Sequence, residues 1–122
     1  MRLQNNLYKI ESKSSEGYRV SLIADSMIYR AHFPEKPITP GVCIIQIAGE
    51  LLEQLTGRNL SLVEVVNAKF LAVINPLETP EVTYTFTKLV SDDAAHTLKV
   101  QVVVTSEATT CTKLSLQYSI TE

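Results

Sequence analysis

The stretch His32-Phe33-Pro34-Glu35-Lys36-Pro37-Ile38-Thr39-Pro40-Gly41 runs straight into the apolar segment Val42-Cys43-Ile44-Ile45-Gln46-Ile47-Ala48, and this junction decides how the chain is read. Three prolines frame one of the chain's two histidines. Proline fixes its own φ and restricts the residue before it, so the frame predicts a stiff loop that holds the imidazole in a defined place. An imidazole that titrates near neutral pH, set beside a helix start, is suited to proton transfer. The next polar side chain along the helix is an amide, Gln46, where such a device would want an acid.

The segment from Val42 to about Leu55 is expected to be one helix. Thr39 is placed to cap it, Pro40 fits its first turn, and Gly57 stands where a left-handed C-terminal residue would stop it. Val42, Ile44, Ile45, Ile47, Ala48, Leu51, Leu52 and Leu55 cover most of the circumference, and a helix of that kind is one that other structure surrounds. Gln46, Glu50, Glu53 and Gln54 form the polar stripe that remains, with Glu50 one turn beyond Gln46 on the same side.

Period-two patterns flank the helix. Upstream, Tyr18, Val20 and Leu22 alternate with Arg19 and Ser21, and a weaker strand signal runs from Leu7 to Ile10. Downstream, Leu62–Leu71 is rich in β-favouring residues. Then Val82, Tyr84 and Phe86 alternate with threonines, Leu98, Val100, Val102 and Val104 with Lys99 and Gln101, and Leu114, Leu116, Tyr118 and Ile120 with Ser115, Gln117 and Ser119. Polar connectors at 91–95 and 106–109 separate the last three, which argues for an antiparallel meander with one face on a core. The expected class is therefore α+β: residues 1–122 as a single domain, with five or six antiparallel strands wrapped around one long central helix. The sheet's uncovered edge is expected to pair with a second copy.

Composition narrows the function. A chain of 122 residues, 45% hydrophobic and 20% charged, can bury a core of its own. A net charge of −2 provides no general attraction for nucleic acid or anionic membranes. The N-terminus lacks the apolar stretch of a signal peptide and no run is long enough to span a bilayer, so a cytoplasmic location is expected. Cys43 and Cys111 have no metal-binding or disulfide spacing, and Asp92, Asp93 and His96 make no convincing metal site, so neither metal nor cofactor is expected.

These residues resemble the β-hydroxyacyl-acyl-carrier-protein dehydratases, a family with the hot-dog fold. The family pattern is Gly-His-Phe-Pro-x-x-Pro-x-x-Pro-Gly-Val, with an acidic residue on the central helix four residues after the valine. His32-Phe33-Pro34, Pro37 and Pro40-Gly41-Val42 match it in place. Ala68-Lys69-Phe70 with Pro76 looks like a later family strand and turn, so the resemblance runs from about Tyr18 to the end. This chain departs from the pattern at Ala31, Glu35-Lys36 and Leu77-Glu78. The largest departure is Gln46, at the position of the catalytic acid, whereas Glu50 stands where the family commonly carries glutamine.

The resemblance implies a lyase reaction in which water is lost from a 3-hydroxyacyl thioester to give the trans-2-enoyl thioester. His32 would take the C2 proton, while Gln46 or Glu50 from a partner's helix would address the leaving hydroxyl. Phe33, Pro40, Gly41 and Val42 would line the substrate site, with the amides at the helix start facing the thioester carbonyl. Arg30, Lys36 and Lys69 would meet an acidic carrier protein, the substrate being carried by acyl carrier protein or coenzyme A. Glutamine donates a hydrogen bond but delivers no proton, and general acid–base assistance is worth about 10²–10⁴-fold. Two further readings therefore stand beside the dehydratase: a non-catalytic acyl-thioester-binding subunit of a hetero-oligomeric dehydratase, and a hot-dog thioesterase. The assembly expected is a homodimer or trimer of dimers, with a heterodimer as the variant.

Overall fold

Leu98, Val100, Val102 and Val104 are buried, as are Leu114, Leu116, Tyr118 and Ile120, while their alternates lie at or near the surface. This is the pleat of a sheet with one face in a core. The computed structural model describes residues 2–31 and 35–121. In chain order it contains β1 (Tyr8–Lys13), β2 (Gly17–Leu22), a short α1 (Met27–Ala31), α2 (Gly41–Thr56), β3 (Leu60–Phe70), β4 (Glu81–Asp92), β5 (Thr97–Ser106) and β6 (Thr109–Ile120). The strands form one antiparallel sheet in the order β1-β2-β4-β5-β6-β3. Its inner face holds α2 through the buried Ile44, Ile47, Ala48, Leu51 and Leu52. The expected α+β arrangement of a sheet around one helix is what forms, with six strands rather than five; α1 was not foreseen.

The helix starts without the expected side-chain cap. Pro40 is its N-cap residue in extended conformation, and no side-chain cap bond is made there among the described residues. Thr39 instead bonds its hydroxyl to that of Tyr29 at 2.8 Å and donates its amide to the Ile74 carbonyl at 2.8 Å. A buried threonine satisfied in this way ties the loop to the core, and it stands one residue ahead of the N-cap position that Pro40 takes. The stop is as expected: Gly57 has φ 69° and donates to the Glu53 carbonyl at 2.8 Å.

Strand β3 lacks a clean alternation for a structural reason. Its register against β6 slips between Leu62 and Glu64 and again between Val65 and Asn67. Each slip is a bulge that inserts one residue. The residues opposite the inward positions of β6 are thus Leu60, Leu62, Val65, Ala68 and Phe70, a spacing of two, three, three and two. The inserted Val63 and Val66 are 60% and 55% exposed. β3 is also the last strand of the sheet, so its outer edge carries backbone groups that pair with no strand of the described residues.

Candidate functional site

Val42, Gln46 and Glu50 follow one another at four-residue intervals and so lie along one side of α2. That side and the inner face of β3 bound a cleft of about 570 Å³, lined by Val42, Ile45, Gln46, Gly49 and Glu50 from the helix, Leu60, Leu62 and Val65 from β3, and Tyr118 from β6. Val42 is 76% exposed at one end. Arg2 and Glu53 line the cleft as well, one turn and more beyond Gln46, with a guanidinium–carboxylate distance of 3.7 Å between them.

Glu50 is 6% exposed and has four hydrogen-bond donors on it. One carboxylate oxygen takes the Leu3 amide at 2.7 Å and the Gln46 side-chain amide at 3.0 Å. The other takes the Gln4 amide at 2.9 Å and the Tyr8 hydroxyl at 3.0 Å. A carboxylate has about four lone-pair positions, so this one is filled. Because Glu50 only accepts, the side of Gln46 turned toward it must be the NH2 group. Burial is the main cause, and the Glu50 charge the next, that pushes the Tyr8 phenol well above its ordinary range and keeps it a donor. Gln54 extends the same attachment, donating to the Gln4 side chain at 2.7 Å. The polar stripe read from the sequence is thus in large part the seat on which residues 2–8 are fastened.

Gly41 lies on another side of the helix. A β-carbon there would come within 2.9 Å of the Phe70 ring, so the absence of a side chain is what lets β3 close on the helix start. Pro40 accepts the Cys43 and Ile44 amides at 3.0 and 3.1 Å, and Gly41 and Val42 precede this first turn of the ladder. Cys43 is no ready nucleophile, since burial pushes its thiol up. His32 and Phe33, the residues on which the sequence reading leans most, lie outside the described residues. Arg30, Lys36 and Lys69 are all exposed. Lys69 stands directly across from Lys113 on the outer face of the sheet. Like charges so placed repel, which makes Lys113 a companion of Lys69 that only the register reveals.

Two other residues escaped the sequence reading. Tyr8 fell in the weakly patterned first strand, and Tyr118 looked like one more inward position of β6. Among the described residues no group of three or more His, Cys, Asp or Glu side chains is placed to hold a metal ion, and no helix is long and apolar enough to cross a membrane.

A family model described as ApeI dehydratase, of the ApeI-like family, matches residues 9–114. The 3-hydroxyacyl-acyl-carrier-protein dehydratase FabZ of Latilactobacillus sakei subsp. sakei (strain 23K) is 31% identical over 78 residues. That match takes in 58% of this chain and 56% of FabZ, so it spans little more than half of that relative. Among solved structures, a chain of the dehydratase heterocomplex ApeI:P from Xenorhabdus doucetiae superimposes with a TM-score of 0.61 at 17% identity, covering 95% of this chain and 99% of that one. A hypothetical thioesterase with coenzyme A from Streptococcus pneumoniae TIGR4 gives 0.62 at 10% identity, covering 93% and 85%. At such identities the structures establish the shared architecture, the hot-dog fold, and nothing finer.

Proposed function

The chain belongs to the ApeI-like dehydratase family, and from that premise we propose that it binds 3-hydroxyacyl thioesters as a dehydratase subunit whose position 46 supplies a hydrogen bond and no proton. The observation that carries this reading is the saturated Glu50 carboxylate. To stand in as the acid, Glu50 would have to carry a proton on an oxygen that already faces two donors. It would also have to reach about one helical turn, roughly 5 Å, past the level of Gln46. Both residues line the cleft, and Gln46 stands at the level of the family's acid with its NH2 group donating to Glu50.

In this reading His32 removes the C2 proton. The Gly41 and Val42 amides, with the positive end of the α2 dipole, stabilise the enolate that develops on the thioester carbonyl. Phe33 and Pro40 flank that end of the site. Gly41 and Gln46 are about 140° apart around a helix of 3.6 residues per turn. One helix therefore does not turn both toward the same ligand, and a complete site takes the His32–Gly41 end from one chain and the position-46 face from another. The exposed bulged edge of β3 is the natural seam for that pairing. Arg30, Lys36, Lys69 and Lys113 are the cations that would receive an acidic carrier.

Without a general acid, elimination loses about 10²–10⁴-fold, or roughly 3–5.5 kcal/mol of barrier lowering. A second, related chain carrying an acid at the equivalent of position 46 would restore it, as a heteromeric assembly. The likeness to a chain of a dehydratase heterocomplex favours that partner over a second identical copy. The test is turnover of a 3-hydroxyacyl thioester by the purified chain alone and after addition of a family partner from the same organism. Enoyl product appearing at an ordinary rate only in the mixture is expected. Rapid elimination by the chain alone, or a mixture unaffected by His32→Ala, would overturn the proposal.

A further inference from the structure

Tyr118 is 3% exposed, and its hydroxyl has no hydrogen-bond partner among the described residues. Buried hydroxyls are nearly always paired, and an orphan in the wall of a ligand-sized cleft calls for a cause. The cleft it borders is lined by the apolar Ile45, Leu62 and Val65, with Arg2, Gln46, Glu50 and Glu53 as its polar members. The helix approaches this hydroxyl through Gly49, where an added β-carbon would stand 3.4 Å from the phenol oxygen. Glycine is a poor residue for a helix interior, so its presence opposite an unpaired hydroxyl is a second mark of the same spot. Burial raises the Tyr118 phenol above its usual range, with the Glu53 carboxylate adding to the effect, so the group stays an O–H donor.

We propose that Tyr118 is a specificity-determining residue that donates a hydrogen bond to an oxygen carried on the acyl chain of the ligand, beyond the thioester and the C3 hydroxyl. The proposal rests on the acyl-thioester reading above. Gly49 is three residues past Gln46, which at 1.5 Å per residue is about 4.5 Å along the helix. If C3 lies level with Gln46, that distance takes an extended chain roughly four carbons on, to about C7, at the same 4.5 Å of rise. The ligand class is thus a medium-length acyl thioester bearing a hydroxyl, keto or ether oxygen near that carbon. The phenol oxygen is closed off from bulk solvent, so the ligand oxygen must part the side chains over it. A plain alkyl chain, by contrast, leaves the hydroxyl unpaired.

Binding of octanoyl-coenzyme A and of its 5-, 6-, 7- and 8-hydroxy derivatives to the purified protein, measured by titration calorimetry, tests the idea. The expected result is a preference of about tenfold for one hydroxylated isomer over octanoyl-coenzyme A, the size of one good hydrogen bond. Tyr118→Phe should bring that ratio to about one. Gly49→Ala, which sets a methyl group against the phenol oxygen, should do the same with a helix that is no less stable. Equal binding of all five thioesters, or a preference that survives Tyr118→Phe, overturns the assignment of Tyr118 alone. Binding of none of them overturns the acyl-thioester reading and this proposal with it.

Discussion

Replacing Glu50 by glutamine removes the charge on which four donors converge while keeping the shape of the side chain. The new amide has one accepting oxygen and one NH2 group, so at most two of the four donors then face another donor, fewer where the Gln46 amide flips or the Tyr8 hydroxyl turns to accept. Hydrogen bonds to a charged group contribute about 1.5–3 kcal/mol each, and a buried donor left unpaired costs about 1–3 kcal/mol. Two such losses set an upper range of about 3–6 kcal/mol. The Leu3–Gln4 segment and Gln46 lie near solvent and relax in part, which brings the expected destabilisation to about 2–4 kcal/mol. For a chain of this size that is a fall in melting temperature of roughly 6–15 °C. Thermal or urea unfolding at pH 7 measures it, with Glu11→Gln as the control. Glu11 accepts only the exposed Ser21 hydroxyl at 3.0 Å and should change stability by less than about 0.5 kcal/mol. Hydrogen exchange adds a local readout, since the Leu3 and Gln4 amides should lose protection before the rest of the chain. Glu50→Gln unfolding within about 1 kcal/mol of the parent, with those two amides still protected, would refute the clamp and return Glu50 to candidacy as an acid.

Alkaline pH should unfold the protein steeply. Burial raises the Tyr8, Tyr84 and Tyr118 phenols, so the folded chain keeps protons that the unfolded chain sheds above about pH 10. Below that pH both states are protonated and nothing is lost; above it stability falls by about 1.4 kcal/mol per pH unit for each tyrosine. Phenolate absorbance should therefore rise together with the loss of circular dichroism, and early ionisation of all five tyrosines in a folded chain would contradict the burial argument. At the exposed edge, Val63→Lys with Val66→Lys should abolish whatever assembly uses β3. Half-exposed valines contribute about 1 kcal/mol each, so the two that this chain brings to the seam predict association weakened by about thirtyfold or more. Sedimentation velocity reads this directly, and an unchanged oligomer would place the seam elsewhere.

Much of the fold was legible because periodicity reports burial. The alternation from Leu98 to Val104 and from Leu114 to Ile120, the apolar run from Val42 and the stop at Gly57 each reflect local geometry that survives in the folded chain. β3 was less legible because its two bulges interrupt the alternation that marks a strand. Thr39 misled because the helix starts one residue later than a threonine cap requires, with Pro40 at the N-cap and Thr39 bonded to Tyr29 in the core.

Periodicity alone determined the α+β class, a sheet around one apolar helix, because burial repeats with the geometry of each element. The junction of the proline frame with the apolar run carried the resemblance to the dehydratase family, and through it the expectation of the hot-dog fold and of an acid where Gln46 stands. The use made of the polar stripe depended on the tertiary structure, because Leu3, Gln4 and Tyr8 reach Glu50 across more than forty residues of chain. Hydrogen bonds between distant segments leave no period in a sequence. Only the folded chain could show that Glu50 is consumed by the protein's own N-terminal segment while the Tyr118 hydroxyl, buried beside the cleft, is left without a partner among the described residues.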